Sequence, residues 1–436
     1  MNRCSRIPGF YKLTPAERRA RLREAASLGP DELGQLEAPA PLDFSTADHM
    51  IENVVGTYAL PLGIALNLRL NQRDYLVPMV IEEPSVVAAA SNAARMVREG
   101  GGFSAEADDP IMIGQVLLSE VADTTHAAEN IASHREEICA LADAAQSGLV
   151  RRGGGTRGLE VRILEPATKT APGLLVVHLY VDCRDAMGAN LVNTIAEAVA
   201  DRLAELSSGQ VGLRILSNLA DRRCVRVRCN VPLPMLSTNG HNGAAVARGI
   251  AEASRFAELD PYRAATHNKG IMNGIDAVAL ACGNDWRGIE AGAHAFAARS
   301  GVYRPLAIWR MTGAELEGYL ELPMPVGTVG GCTRVHPGAK LSLALLGAES
   351  ATELGMVIAA VGLASNLAAL RALATEGIQR GHMSLHARTV ALRVGATGDQ
   401  VEQVARELAA LGEVRADRAR LILDRLVNRS PSEVQS

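Results

Sequence analysis

Five short segments set titratable or small residues where bulky neighbours cannot block a ligand. Glu82, Glu83, Pro84 and Ser85 stand at a strand-to-helix junction. A carboxyl there either caps the helix or, at a strand end, serves as a proton donor. Thr266 to Gly274 holds Lys269 between Asn268 and Gly270, which leaves room for an ammonium to approach a ligand. Gly283, Asn284, Asp285, Trp286 and Arg287 put an acid in a turn before a helix, the ordinary setting of an N-cap. Glu376 to Met383 carries His382 between glycines, a mobile segment able to bring an imidazole into a site. The fifth segment, Asp185 to Asn190, follows a dense apolar strand and opens a helix, so free N–H groups there can meet a phosphate. It is not GxGxxG, and no GK[ST] follows Gly153 to Gly155. A Rossmann fold is not indicated, while a dinucleotide stays open.

The elements that must position these groups can be read from caps and periodicity. Thr14, Pro15 and Glu17 form a capping box at the start of a helix. Residues 77–81 read as a strand, 85–97 as a helix, and the run Gly100 to Gly102 as a hinge. Beyond residue 108 the texture changes. Leu159, Val161 and Ile163 alternate with polar residues, and the stretch from Gly173 to Val181 reads as a buried strand. Leu191, Ile195, Val199 and Leu203 recur at helical spacing. Strands over 211–216 and 224–231 close this middle block, a small α+β unit. From residue 232 the chain is helical and rich in Ala and Gly, with stripes at Ile275, Val278, Cys282 and at Ile289, Ala293, Phe296. A helix over 361–376 and a tail with helices over 401–411 and 415–429 complete the order.

Composition narrows the function classes. The chain has 436 residues, net charge −4, 48% hydrophobic and 21% charged residues. That is enough for two or three domains and excludes wholesale disorder. The near-zero charge excludes a general grip on nucleic acid or an anionic membrane. No apolar run approaches roughly 18 residues, and the first residues lack a signal-peptide core. Seven irregularly spaced cysteines give neither a disulfide framework nor a CxxC zinc site. A soluble cytoplasmic protein without a metal is expected.

In this order the segments resemble the class II, bacterial 3-hydroxy-3-methylglutaryl-coenzyme A reductases. The likeness runs from Ser5 to about Asp424, and includes Glu52 to Gly56, Glu82 to Ala89, Asp185 to Asn190 and His267 to Asp276. Gly283 to Arg287, Pro325 to Gly331 and Glu376 to Met383 continue it. The resemblance implies a four-electron reduction of the CoA thioester to mevalonate and CoA with two nicotinamide cofactors, or the reverse reaction. It implies Glu83, Lys269, Asp285 and His382 as the catalytic set, with Asp285 holding Lys269 and tuning Glu83. Ser85, Arg263, Thr266 and Asn273 would bind the hydroxymethylglutaryl group. Asp185, Met187, Gly188, Asn190 and Asn218 would bind the dinucleotide, beside the Gly327 to Gly331 loop.

The implied fold is α+β, a large helix-rich substrate domain (1–108 and 221–376) interrupted by a small non-Rossmann, ferredoxin-like dinucleotide-binding domain (109–220). Residues 377–436 would be a mobile C-terminal flap. Family members are dimers with the site at the subunit interface, often assembled into hexamers; no nucleic acid or membrane partner is implied. The likeness points to NAD(H). Gln146 stands where NADH-using relatives carry an acid, however, and Arg151 and Arg152 follow it, which keeps NADP(H) open. Lys12 stands where relatives place an arginine near the CoA phosphate. A CoA-thioester hydrolase or acyltransferase in the same pocket is the rival reading, but there is no GxSxG elbow and no matched Cys/His pair.

Overall fold

The computed structural model describes residues 4–26, 28–37, 42–165, 173–238, 240–375 and 377–429. Among these residues ten strands fall into two sheets. β1 (Leu62–Leu70), β2 (Arg73–Val80), β3 (Phe103–Ala107), β8 (Cys224–Pro232), β9 (Ala307–Thr312) and β10 (Glu315–Pro323) form one, in the order β2-β1-β3-β8-β10-β9. β4 (Ile111–Ser119), β5 (Gly155–Leu164), β6 (Leu174–Asp182) and β7 (Gln210–Ser217) form the other, in the order β5-β6-β4-β7. All pairs in the four-stranded sheet are antiparallel. In the larger sheet only β1 and β3 run parallel.

The four-stranded sheet packs against the helices Thr124–Ser133, Arg135–Ala145 and Ala189–Ser207. Val177, Leu179 and Val181 of β6 share with Val192, Ile195 and Val199 of the last helix a core separate from that of the larger sheet. The expected middle strand over 224–231 is a strand, but it belongs to the larger sheet as β8. β4 takes the vacant place, paired to β6 from Ile111↔Asp182 to Leu118↔Leu175. Alternation in a sequence shows that a segment is extended and not which sheet it joins.

Gly100 to Gly102 is not a hinge. A Cβ on Gly100 would lie 2.1 Å from Asn230 O, and one on Gly102, at φ +97°, 2.7 Å from Arg69 O. The run is a close-packed turn from the Val86–Glu99 helix into β3.

The capping box closes as read, with Thr14 N–H donating to Glu17 Oε2 (2.7 Å) and Glu17 N–H to Thr14 Oγ1 (3.3 Å). The expected helix over 361–376 spans Ala351–Leu373, 23 residues with Ser350 as N-cap. It is apolar on nearly every side, which hides its start from any stripe-based reading. Among the described residues this helix alone is long and apolar enough to cross a membrane, and 67% of its most apolar window is buried inside the protein. It lies against the helices Val86–Glu99, Gly243–Leu259 and Pro261–Ala281. Small residues allow the last approach: a Cβ on Gly274 would meet Val361 O at 2.8 Å, and one on Gly362 would meet Ile275 at 2.8 Å. Beyond residue 377, helices Ile378–Arg393, Asp399–Leu411 and Ala416–Arg429 enclose their own small core around Ala387, Val404, Leu408 and Ile422.

Candidate active site

The Pro261–Ala281 helix opens with Asp260 as N-cap, its Oδ2 accepting from Arg263 N–H at 3.0 Å, and with Pro261 in the first turn. Its buried side carries Ala264, His267, Ile271, Ile275 and Val278. Arg263, Thr266, Lys269 and Asn273 recur at three- and four-residue steps, so they share the opposite side. Lys269 Nζ donates to Glu83 Oε2 at 2.8 Å, and Asn273 Nδ2 to the same oxygen at 3.4 Å. The lysine and glutamate side chains are 61% and 35% exposed, so the pair adds little to folding stability. Ser85, two residues on, has φ 78° and caps nothing with its side chain. Its Oγ is buried without a partner. A non-glycine residue so placed stores roughly 1–3 kcal/mol of strain. Burial lowers the pKa of Arg263, and Thr266 Oγ1 donates to Tyr262 O at 3.5 Å.

A second group of residues surrounds a cavity of about 1040 Å³, lined among others by Met187, Gly188, Asn190, Asp285, Trp286 and Gly330. Gly188, at φ +110°, is the N-cap of the Ala189–Ser207 helix, and a Cβ there would lie 2.5 Å from Cys183 Sγ. Gly327 presses its Cα against the same turn, since a Cβ would meet Met187 N at 2.5 Å. Asn284 grips Gly327 twice: it accepts from Gly327 N–H (2.7 Å) and donates to Gly327 O (3.1 Å). Asp285 caps the Trp286–Ala297 helix, its Oδ1 accepting from Gly288 N–H at 3.1 Å. Asn218 stands beside it: Asn218 Oδ1 and Asp285 Oδ2 lie 3.2 and 2.8 Å from where a Cβ on Gly288 would be. The Asp185 carboxylate is engaged elsewhere, accepting from Ala351 N–H at 2.9 Å.

Asp285 does not hold Lys269 within the chain. From Lys269 to Ala281 the helix rises about 18 Å at 1.5 Å per residue, and Asp285 follows in the turn beyond its end. Lys269 pairs with Glu83 and Asp285 with a helix terminus, so the expected shared hydrogen bonds are absent among the described residues. His382 falls within the Ile378–Arg393 helix, but its side chain and the whole of Glu376 lie outside the described residues.

Arg223 went unread in the sequence. It is 4% exposed and donates to Ala186 O (3.2 Å), Met187 O (3.1 Å) and Val326 O (2.5 Å). Its neighbour Arg222 lies over the Tyr180 ring, 5.3 Å from the centroid. Nothing in an Arg-Arg pair tells which one goes inside. No group of three or more His, Cys, Asp or Glu is arranged to hold a metal among the described residues.

A family model described as hydroxymethylglutaryl-coenzyme A reductase matches residues 14–387. The chain belongs to the hydroxymethylglutaryl-coenzyme A reductase family. The 3-hydroxy-3-methylglutaryl-coenzyme A reductase of Archaeoglobus fulgidus is 49% identical over 97% of this chain and 95% of its own length. A probable reductase of Borreliella burgdorferi is 36% identical over 78% and 77%. Among solved structures, the class II reductase of Streptococcus pneumoniae bound to NADPH in open conformations has TM-score 0.81 and 47% identity, over 84% of this chain and 99% of that one. A second structure of the reductase from that organism has TM-score 0.82 and 44% identity, over 96% and 99%. As a hydroxymethylglutaryl-coenzyme A reductase, the chain is an oxidoreductase with a mixed, helix-rich α/β fold, and the thioester-hydrolase reading is not favoured.

Proposed function

We propose that the protein interconverts 3-hydroxy-3-methylglutaryl-CoA and mevalonate plus CoA, using two equivalents of NAD(P)H, at a site completed between two copies of the chain. The convergence of Lys269 and Asn273 on one oxygen of Glu83 carries the reading, since it joins a cation, an amide and a carboxyl at an open surface. The 18 Å along the helix supports the second copy: the Asp285 cavity of one chain can complete the Glu83–Lys269 surface of another in a two-fold dimer.

Reduced nicotinamide supplies the hydride in both reductions. The residues about the cavity fit a dinucleotide, because Gly188 and Gly327 leave backbone where a side chain would stand and the helix N-terminus at Gly188 favours an anion. In the chemistry, Lys269 Nζ stabilises the oxyanion formed at the thioester carbonyl. His382 gives a proton to the departing CoA thiolate. The Glu83 carboxyl then gives its proton to the aldehyde oxygen. The Arg263 guanidinium pairs with the substrate carboxylate, and Ser85 Oγ, without an internal partner, is free for the substrate.

The same reading makes residues 109–220 a ferredoxin-like dinucleotide domain. Its elements run strand, helices, strand, strand, helix, strand, and its sheet order is that of such a unit. Residues 1–108 and 221–376 form the substrate domain, and 377–436 a closing flap that carries His382. Seven free cysteines, four of them buried, suit a cytoplasmic, reducing setting.

For cofactor choice we favour NADPH alongside NADH. A Cβ on Gly148 would lie 3.7 Å from Arg152 Nη1 and 3.8 Å from Arg151 Nη2, so two guanidinium groups converge on one point near Gln146. A 2′-phosphate would relieve their repulsion. The test is to mix protein, hydroxymethylglutaryl-CoA and either dinucleotide and follow the nicotinamide absorbance. CoA release without oxidation of either would overturn the reading. Replacing Arg151 and Arg152 together by Ala should raise KM for NADPH about 10-fold and leave that for NADH unchanged.

A further inference from the structure

A buried arginine stands at the seam between the two sheets. Arg223 lies in the link from β7 to β8, and its three hydrogen bonds reach two separate segments, Ala186 with Met187 and Val326. Among the described residues no carboxylate hydrogen-bonds it. A guanidinium taken out of water is unfavourable unless its donors are used, and a neutral residue of the same volume could not serve those carbonyls. The two segments touch directly as well. Asp185 O accepts from Thr328 N–H at 2.9 Å, and Ala186 bridges to Val329. Asn284 holds Gly327 through both ends of its side-chain amide, Oδ1 accepting and Nδ2 donating, and Asp285 follows it in the chain. A continuous path of contacts thus runs from the turn at Met187 and Gly188, through Arg223 and Gly327, to Asp285.

We propose that Arg223 is a positioning residue for the reduction, fixing the dinucleotide-facing turn to the segment that carries Asp285 so that the two move as one body. The inference rests on the dinucleotide reading of the Asp185 to Asn190 turn. Lysine at this place keeps the charge but lacks the fork that serves two segments at once. Arg223→Lys should raise KM for the dinucleotide about 10-fold while KM for hydroxymethylglutaryl-CoA stays within about 2-fold, the loss of one charge-assisted hydrogen bond falling on one ligand only. In the ligand-free protein, hydrogen exchange at the Thr328 and Val329 amides should quicken in the same variant. Arg222→Lys serves as control and should change neither.

Equal increases in both KM values, or unchanged exchange at Thr328, would overturn the proposal. So would insoluble Arg223→Met beside Arg223→Lys with wild-type kinetics, since Arg223 would then serve folding alone. A wild-type protein that oxidises neither dinucleotide sinks the proposed reaction instead, and the exchange experiment still reads whether Arg223 joins the two segments.

Discussion

Glu83 and Lys269 meet across an open surface, whereas Met187, Gly188 and Asp285 stand round a cavity lined by glycines as well as by larger side chains such as Tyr58, Trp286 and Leu341. In the first region side chains converge: an ammonium and an amide from the Pro261–Ala281 helix meet a carboxyl from the bend between β2 and the Val86–Glu99 helix. In the second, Gly327 brings two main chains within contact and Gly188 packs against the Cys183 side chain, while Arg223 and Asn284 bond to carbonyl and N–H groups there. In the proposed reaction the surface changes partners when substrate arrives. The cavity is built to keep its shape. The proposed reaction, in which charge develops at one place while a flat ring is presented at another, would use that division.

The contrast can be broken first at Lys269. Lys269→Ala should lower kcat by about 10³-fold or more, the scale of a lost oxyanion donor, with the melting temperature little changed because the side chain is mostly exposed. Near-wild-type turnover would remove the surface from the chemistry. The next test joins the regions: Lys269→Ala and Asp285→Ala should each be inactive. Co-expressed with different tags, they should recover roughly a quarter of wild-type activity, as random pairing in a two-fold dimer leaves one intact site in half of the molecules. No recovery would mean that each chain must supply both groups itself.

A third test concerns stability. His267, behind Lys269, has its pKa pushed down to about 4, by burial first and then by the Arg263 charge. The folded state therefore takes up this proton only near pH 4 and the unfolded chain near 6.5. The neutral ring's contribution is present above 6.5 and lost as the pH falls to about 4, in all by about 3 kcal/mol. Urea midpoints at pH 7 and pH 5 should diverge in the wild type and converge in His267→Gln. Arg223, pushed down to about 10, stays charged throughout this range and adds no slope. The smallest effect belongs to Ser85→Gly. Relief of the left-handed backbone, partly offset by the greater freedom of glycine in the unfolded chain, should raise stability by about 1 kcal/mol while KM for hydroxymethylglutaryl-CoA rises. A lower melting temperature would show that the backbone there is unstrained.

Much of this arrangement was legible because it is local. Thr14 and Glu17 announce their cap, Asp285 its turn, and the residues from Gly173 to Val181 their strand, since each depends on neighbours a few positions away. What escaped depends on distant partners. β8 alternates like any half-buried strand, and only its pairing from Phe103↔Cys229 to Ala107↔Val225 assigns it to the larger sheet. Gly100 to Gly102 reads as slack until the Asn230 carbonyl is seen against it. Motif matching brought Glu83, Lys269 and Asp285 forward as a set, but within the chain Lys269 bonds to Glu83 while Asp285 bonds to the N-terminus of its own helix.

The Ala351–Leu373 helix carries a consequence for biosynthesis. As it leaves the ribosome it has the length and apolarity of a membrane anchor. The helices that cover it, Val86–Glu99, Gly243–Leu259 and Pro261–Ala281, all precede it in the chain. Synthesis from the N-terminus therefore prepares the seat before the occupant emerges, which shortens the time an apolar rod is offered to chaperones or the secretion machinery. A circular permutation that delivered residues 351–373 first would reverse that order, exposing the helix before any partner exists and turning a core element into an aggregation hazard.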